Sequence, residues 1–215
     1  MLNGRLYAAG GYELEDSTFE LLSSVEAYDP ESDVWSEVAA LPRRLASFAI
    51  VACDGRLYVF GGEDGEEACG STFYYDPAAN AWDTLADMPT GRAGCVACVA
   101  PSGLIYVVGG NGEMGRCVEV YDRVANQWQK KGDLVRPRSN PGCVCLDGRL
   151  YVLGGYAVVG EEEEQHDSIE VYDEDADRWL LHECQLPQAK SRFGCVVMKL
   201  RPPAKVPAGK DSPVE

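Results

Sequence analysis

Four short apolar runs, each closed by a pair of glycines, punctuate the chain: Leu6-Tyr7-Ala8-Ala9-Gly10-Gly11, Leu57-Tyr58-Val59-Phe60-Gly61-Gly62, Ile105-Tyr106-Val107-Val108-Gly109-Gly110 and Leu150-Tyr151-Val152-Leu153-Gly154-Gly155. Each run is too short for a helix and carries a tyrosine at its second position, which predicts a strand. Six residues before the first glycine of each pair stands another glycine behind a small polar residue: Asn3-Gly4, Asp54-Gly55, Ser102-Gly103 and Asp147-Gly148. Such dipeptides form two-residue hairpin turns, because glycine accepts positive φ. Downstream of each glycine pair comes Tyr-Asp and then a tryptophan, always seven residues after the tyrosine: Tyr28 and Trp35, Tyr75 and Trp82, Tyr121 and Trp128, Tyr172 and Trp179.

A fixed framework repeated at roughly fifty residues is the signature of a repeat architecture. Each unit reads as four short strands: an apolar run such as Phe48 to Cys53, the run into the glycine pair, the Tyr-Asp run, and a short one around the tryptophan. Four such strands make one propeller blade. The segment between the glycine pair and Tyr-Asp varies in length from unit to unit, as the loops of a binding face do on a constant scaffold. Unrelated strands of a sandwich would not keep one tyrosine-to-tryptophan interval through four copies.

Glycine pair, Tyr-Asp and tryptophan at this period resemble the kelch motif of the kelch-like (BTB-kelch) proteins over residues 1 to about 200. The expectation is an all-β kelch propeller of four blades, a partial propeller, with repeats at about 1–45, 46–91, 92–137 and 138–187. A final run, Arg192-Phe193-Gly194-Cys195-Val196-Val197-Met198, looks like a first strand. Residues 192–199 are therefore expected to complete the first blade, which begins at its second strand, and so to remove two open sheet edges. Because the resemblance implies about six blades, the chain is expected to be the C-terminal part of a larger propeller, as a fragment or truncated isoform. Residues 201–215, rich in proline and lysine, are expected to be a disordered tail.

Composition narrows the partners. Thirty-five acidic against nineteen basic side chains leave a formal charge of -16, a balance that repels a phosphate backbone and disfavours nucleic acid. It favours solubility, or a basic peptide partner. No apolar run reaches the roughly 18 to 20 residues needed to cross a bilayer, and the first residues lack a signal-peptide pattern, so no membrane role and a cytoplasmic location are expected. Nine cysteines, an odd number without a disulfide-framework spacing, read as reduced thiols.

Candidate chemistry is sparse. Cys95 and Cys98 form a C-x-x-C, but side chains three apart on a strand point to opposite faces and cannot share a metal. Cys143 and Cys145 share a face, yet no second ligand pair follows; with Cys195 they read as small apolar groups of the inner strands. His166 and His182, the two histidines, sit in no motif, and a copper oxidase on this scaffold needs clustered ligands. No Gly-x-Ser-x-Gly elbow appears. No catalytic residue, metal or cofactor is therefore expected, and the chain is not expected to be an enzyme. Glu161 to Glu164 read first as a solvated loop and second as a docking patch for a basic peptide. The first insert, Glu13 to Leu22, mixes acidic residues with Leu14, Phe19, Leu21 and Leu22 and is the better contact candidate.

The resemblance implies that a peptide of a target protein binds one mouth of the propeller, against the residue after each glycine pair and the residues opening each first strand. By position these are Tyr12, Glu63, Asn111 and Tyr156, then Ser47, Asn140 and Arg192, with Cys95 at the corresponding place of the third unit departing from the pattern. Arg192 would suit an acidic group. The function implied is substrate recognition for a cullin-3 ubiquitin ligase. Cullin-3 itself would be reached only through a BTB domain, which the chain is expected to lack. An actin-binding kelch module and, remotely, a propeller enzyme are the alternatives.

Overall fold

The computed structural model describes residues 2–15 and 18–198. Its strands fall into five antiparallel sheets, four that form blades and one two-stranded hairpin. The first sheet is β1 (Leu6–Glu15), β2 (Thr18–Asp29) and β3 (Val34–Val38), and the second is β4 (Ala49–Cys53), β5 (Arg56–Phe60), β6 (Thr72–Asp76) and β7 (Ala81–Thr84). The third holds β8 (Val96–Val99), β9 (Ile105–Val108), β10 (Val118–Asp122) and β11 (Gln127–Lys130). The fourth runs β12 (Gly142–Leu146), β13 (Arg149–Leu153), β16 (Ser168–Asp173) and β17 (Arg178–Gln185), with a separate hairpin, β14 (Tyr156–Val159) and β15 (Glu162–Gln165), inserted between β13 and β16. The one helical element among the described residues is a 3-10 turn, Gly112–Arg116. None of their helices is long and apolar enough to cross a membrane.

Neighbouring sheets meet through their innermost strands, β4 against β8 and β8 against β12, so each sheet fans outward as a blade. The apolar core lies at the blade boundaries. Val25, Leu41, Leu45, Val59 and Phe73 fill the first boundary, with Leu2, Leu57 and Tyr75 beside them. Phe60, Met88, Ile105, Val107 and Tyr121 fill the second, and Tyr106, Val108, Leu134, Val152, Tyr172 and Trp179 the third.

The repeated residues have repeated contacts. The first glycine of each pair has φ between 52 and 72°, and a Cβ there would collide with a backbone carbonyl of the loop that follows its blade: Leu45 above Gly10, Arg92 above Gly61, Arg138 above Gly109, Lys190 above Gly154. Glycine is thus required twice, for the backbone conformation and for the close approach. Each tyrosine hydroxyl donates to the Asp or Asn five residues on, Tyr28 to Asp33 at 2.6 Å, Tyr75 to Asn80 at 2.8 Å, Tyr121 to Asn126 at 2.7 Å and Tyr172 to Asp177 at 2.5 Å. In the later blades that same oxygen accepts a backbone N–H from the preceding blade, Ala39 for Asn80, Ala86 for Asn126 and Gly132 for Asp177. The indoles of Trp82 and Trp128 donate to the carbonyls of the same residues, Ala39 and Ala86, at 2.8 Å. Tyrosine, Asx and tryptophan together form a latch between blades.

Two expectations need adjusting. Arg192–Met198 carries no strand, and β1 stands at the edge of a three-stranded sheet. The run instead turns toward the fourth blade, where the Phe193 ring lies over Gly142 and Gly154, whose missing side chains leave room for it. The first sheet therefore keeps three strands, and the described residues form a partial propeller, as expected, without the completed first blade. Residues 199–215, which include the end of the expected final strand and the whole expected tail, lie outside the described residues.

Candidate functional site

The loops that leave the glycine pairs lie against the loops that enter the first strands: Glu63 is bridged to Ala46, Asn111 N–H donates to Ala93 O, and Tyr156 is bridged to Ser139. The entry loops share one backbone solution. Ser47, Gly94, Asn140 and Arg192 all have positive φ, between 49 and 68°, and they are chained: Gly94 N–H donates to Ser47 O at 2.8 Å, Asn140 N–H to Gly94 O at 2.7 Å and Arg192 N–H to Asn140 O at 3.0 Å. A left-handed backbone at a non-glycine residue is uncommon; here these hydrogen bonds hold it. The third-unit position is therefore Gly94, not Cys95, whose side chain is buried between the second and third blades. Gly94 leaves a gap because a Cβ would run into Asn111, Ser139 and Asn140.

The seven residues expected at the mouth fall into three contact groups. Tyr12 donates its hydroxyl to Glu63 Oε1 at 2.5 Å, and Ser47 Oγ donates to the same oxygen at 2.7 Å. Burial first and the Glu63 carboxylate second push the Tyr12 phenol up from its ordinary value. Asn111 and Asn140 meet through Ser139, whose hydroxyl contacts both side chains. Arg192 lies over the Tyr156 ring, 4.5 Å from its centroid. It also grips Glu163 with both terminal nitrogens, Nη1 to Oε2 at 3.1 Å and Nη2 to Oε1 at 2.8 Å. That hydrogen bonding raises Arg192 further and holds the Glu163 carboxyl below its usual range.

Between the second and third groups lies a cavity of about 350 Å³, lined by Asn111, Pro137, Ser139, Tyr156 and Val158 among others. Tyr12 of the first group stands on a two-stranded arm, where β1 and β2 run past Gly11, paired from Gly11↔Leu22 to Glu15↔Thr18. Leu14 and Phe19 face each other on it, 65% and 73% exposed, and Phe19 packs edge-on against Tyr12.

Gly94 and Ser139 join these groups without having been expected there, and Glu163 was expected only as one of the acidic run Glu161 to Glu164. Gly94 was legible, as the residue beside Cys95 that tolerates positive φ. The contact of Glu163 was not legible: the acidic run is exposed as expected but lies in the turn and strand β15 rather than in a loop, and the ion partner of Glu163 lies 29 residues away.

The cysteines lie as the strand alternation predicts. Cys95 faces the second boundary, Cys98 the third, and Cys143 with Cys145 packs at the third. No group of three or more His, Cys, Asp or Glu arranged for a metal occurs among the described residues. His166 is buried and its Nε2 lies 3.0 Å from Pro137 O, while His182 packs against Tyr151.

Comparison with known proteins agrees with this geometry. Residues 1–155 match the family described as KLHDC2/KLHL20/DRC7 Kelch-repeats domain, and residues 137–180 match the Kelch motif. Similar proteins include Kelch-like protein 35 of Mus musculus, 34% identical over 74% of this chain and 27% of that protein, and Kelch-like protein 41b of Danio rerio, 32% identical over 91% and 33%. The chain thus spans about a third or less of these relatives' own length. Among solved structures, "Structure of YjhT" aligns with a TM-score of 0.78 over 90% of this chain and 71% of that one, at 16% identity, a likeness of fold alone. From its repeats, its inter-blade latches and these matches, the chain belongs to the kelch-repeat β-propellers of the kelch-like proteins.

Proposed function

We propose that this mouth binds an extended segment of a target protein, as the substrate-recognition part of a cullin-3 ubiquitin ligase adaptor. Cullin-3 would be engaged through a BTB region rather than through the blades. The observation that carries the reading is the exposed pair Leu14 and Phe19 on an arm beside Tyr12, next to polar side chains already fixed by one another. Aromatic and aliphatic anchors flanked by ordered polar groups are what a protein interface uses. Rotamers fixed in advance also lower the entropy lost on association. A cytoplasmic setting and a non-enzymatic role accompany this reading.

Proximity labelling in cells by a longer kelch-like protein containing this chain tests it. Leu14→Asp with Phe19→Asp should remove a specific set of labelled proteins while leaving the melting temperature within a degree or two, since both side chains are exposed. A labelled set that survives these changes and also survives Tyr12→Ala would defeat the proposal. Co-sedimentation of the purified chain with actin filaments would support the cytoskeletal reading instead.

A further inference from the structure

The hairpin β14–β15 does more than extend the fourth blade. It carries Glu161 to Glu164, and its register pairs Tyr156 with Gln165, Ala157 with Glu164, Val158 with Glu163 and Val159 with Glu162. Alternation on a strand puts Glu163 on one face and its neighbours Glu162 and Glu164 on the other. Of the four carboxylates, Glu163 is the one in contact with Arg192, and the contact is two-pronged. The guanidinium is also fixed from below by the Tyr156 ring, and its backbone is held at positive φ by Asn140. Arg192 is thus a pre-set carboxylate receptor at the mouth, and its occupant is part of the same chain.

We propose that the hairpin is an internal ligand: Glu163 covers Arg192 in cis, and the partner segment that fits this subsite is an acidic, extended peptide that displaces it. This rests on the binding role proposed above and on the acidic group already expected at Arg192, and adds that the chain itself occupies that site. Three observations support displacement over permanent closure. Both side chains of the pair are about half exposed, and exposed ion pairs are worth little. The hairpin is a two-stranded sheet of its own, tied at its base by two backbone hydrogen bonds between Ser139 and Tyr156, and its outer part, Val158 to Glu163, has no third strand to support it, where a two-stranded ribbon is marginal in water. The cavity shared by Tyr156 and Val158 opens directly beside the subsite, so an incoming chain would find room for its next side chain. A competitor joined to the receptor by the chain has a high effective concentration and lowers apparent affinity by the fraction of time it is bound.

The test uses the full chain and, as probe, a labelled peptide with the sequence of residues 158–165, read by fluorescence anisotropy. Glu163→Gln should bind the peptide about tenfold more tightly than wild type, corresponding to a hairpin closed about nine-tenths of the time. Glu164→Gln, on the opposite face, should match wild type. Arg192→Ala should lose binding in either background, and a peptide with all four glutamates replaced by glutamine should not bind. Equal affinity of wild type and Glu163→Gln, no binding by Glu163→Gln at millimolar peptide, or binding indifferent to Arg192→Ala would each overturn the proposal. If the peptide fails while target capture still depends on Leu14 and Phe19, the binding role stands and only the internal ligand falls.

Discussion

The second and fourth blades fill the same socket in opposite ways. In the fourth, Arg138 at the entry loop meets Glu170 on β16, both with no exposed side-chain surface. In the second, the corresponding positions hold Leu45 and Phe73, packed together in the core. The correspondence is geometric: the carbonyls of Leu45 and Arg138 cap the glycines of the preceding blades, and Phe73 and Glu170 each lie two residues before the latch tyrosine. The third blade repeats the ionic version, with Arg92 Nη2 2.7 Å from Glu119 Oε2. The scaffold therefore demands a filled socket between entry loop and third strand, and does not demand charge.

What the ionic version requires is full pairing. Arg138 donates through Nε to Glu170 at 2.9 Å, through Nη1 to the carbonyls of Gly154 and Ser168, and through Nη2 to Ser168 Oγ. Glu170 also accepts the backbone N–H groups of Val135 and Arg136. Arg92 is less complete: its Nε is buried without a partner. Buried charges cost heavily when left alone but are neutral or worse against a well-packed apolar pair.

The largest expected effect comes from breaking the pair. Glu170→Ala strands a buried guanidinium and should destabilise by about 3 to 5 kcal/mol in urea denaturation. The double change Arg138→Leu with Glu170→Phe, which copies the second blade, should recover most of that loss. A double variant as unstable as the single would mean that the sockets differ in shape and not merely in charge.

A smaller effect separates the two ionic blades. Arg138→Lys loses the Nε bond to Glu170, whereas Arg92→Lys gives up an Nε that has no partner. The first should therefore cost more than the second by about 1.5 kcal/mol, the worth of a hydrogen bond to a charged group. Equal losses would show that Nε pairing contributes nothing.

The latches of the same two blades differ as well. Trp128 donates to Ala86 O, while the buried Nε1 of Trp179 has no acceptor. Trp128→Phe should cost about 1 kcal/mol more than Trp179→Phe once their difference in burial is matched by comparing each with its Ala variant.

The smallest effect is a pH slope. Burial first, then the charges of Arg138 and Arg136, depress His166 despite its contact with Pro137 O and the proximity of Glu164. The unfolded ring binds a proton near pH 6.5, so below that pH the unfolded chain holds more protons than the folded one. Stability should be full above about pH 6.5 and fall as the pH drops toward the lower folded value. His166→Gln should flatten this slope, and the Arg138→Leu, Glu170→Phe variant should reduce it by removing one nearby positive charge. An unchanged slope in His166→Gln would assign it to other groups.

How much was legible follows from the range of each signal. Glycine pairs, hairpin dipeptides and the Tyr-to-Trp interval are local, and each maps onto a strand or turn of the structure. The opposite orientations of Cys95 and Cys98 follow from strand alternation alone. The expected mouth residues came from the resemblance, carried over by position, and in the third unit the structure puts Gly94 rather than Cys95 at the equivalent backbone position. The pairing of Arg92 with Glu119, 27 residues apart, and of Arg192 with Glu163 had no sequence sign, because a loop and a strand of variable separation meet only after the blade has formed.

The sequence by itself determined that this chain makes antiparallel blades, since strand period, turn glycines and the latch spacing act within one repeat. Only the tertiary structure decided which side chains share a socket, where the C-terminal run lies, and that the acidic hairpin reaches Arg192. Those outcomes depend on contacts between repeats, where several residue types satisfy one geometry and no local pattern distinguishes an ion pair from a leucine against a phenylalanine.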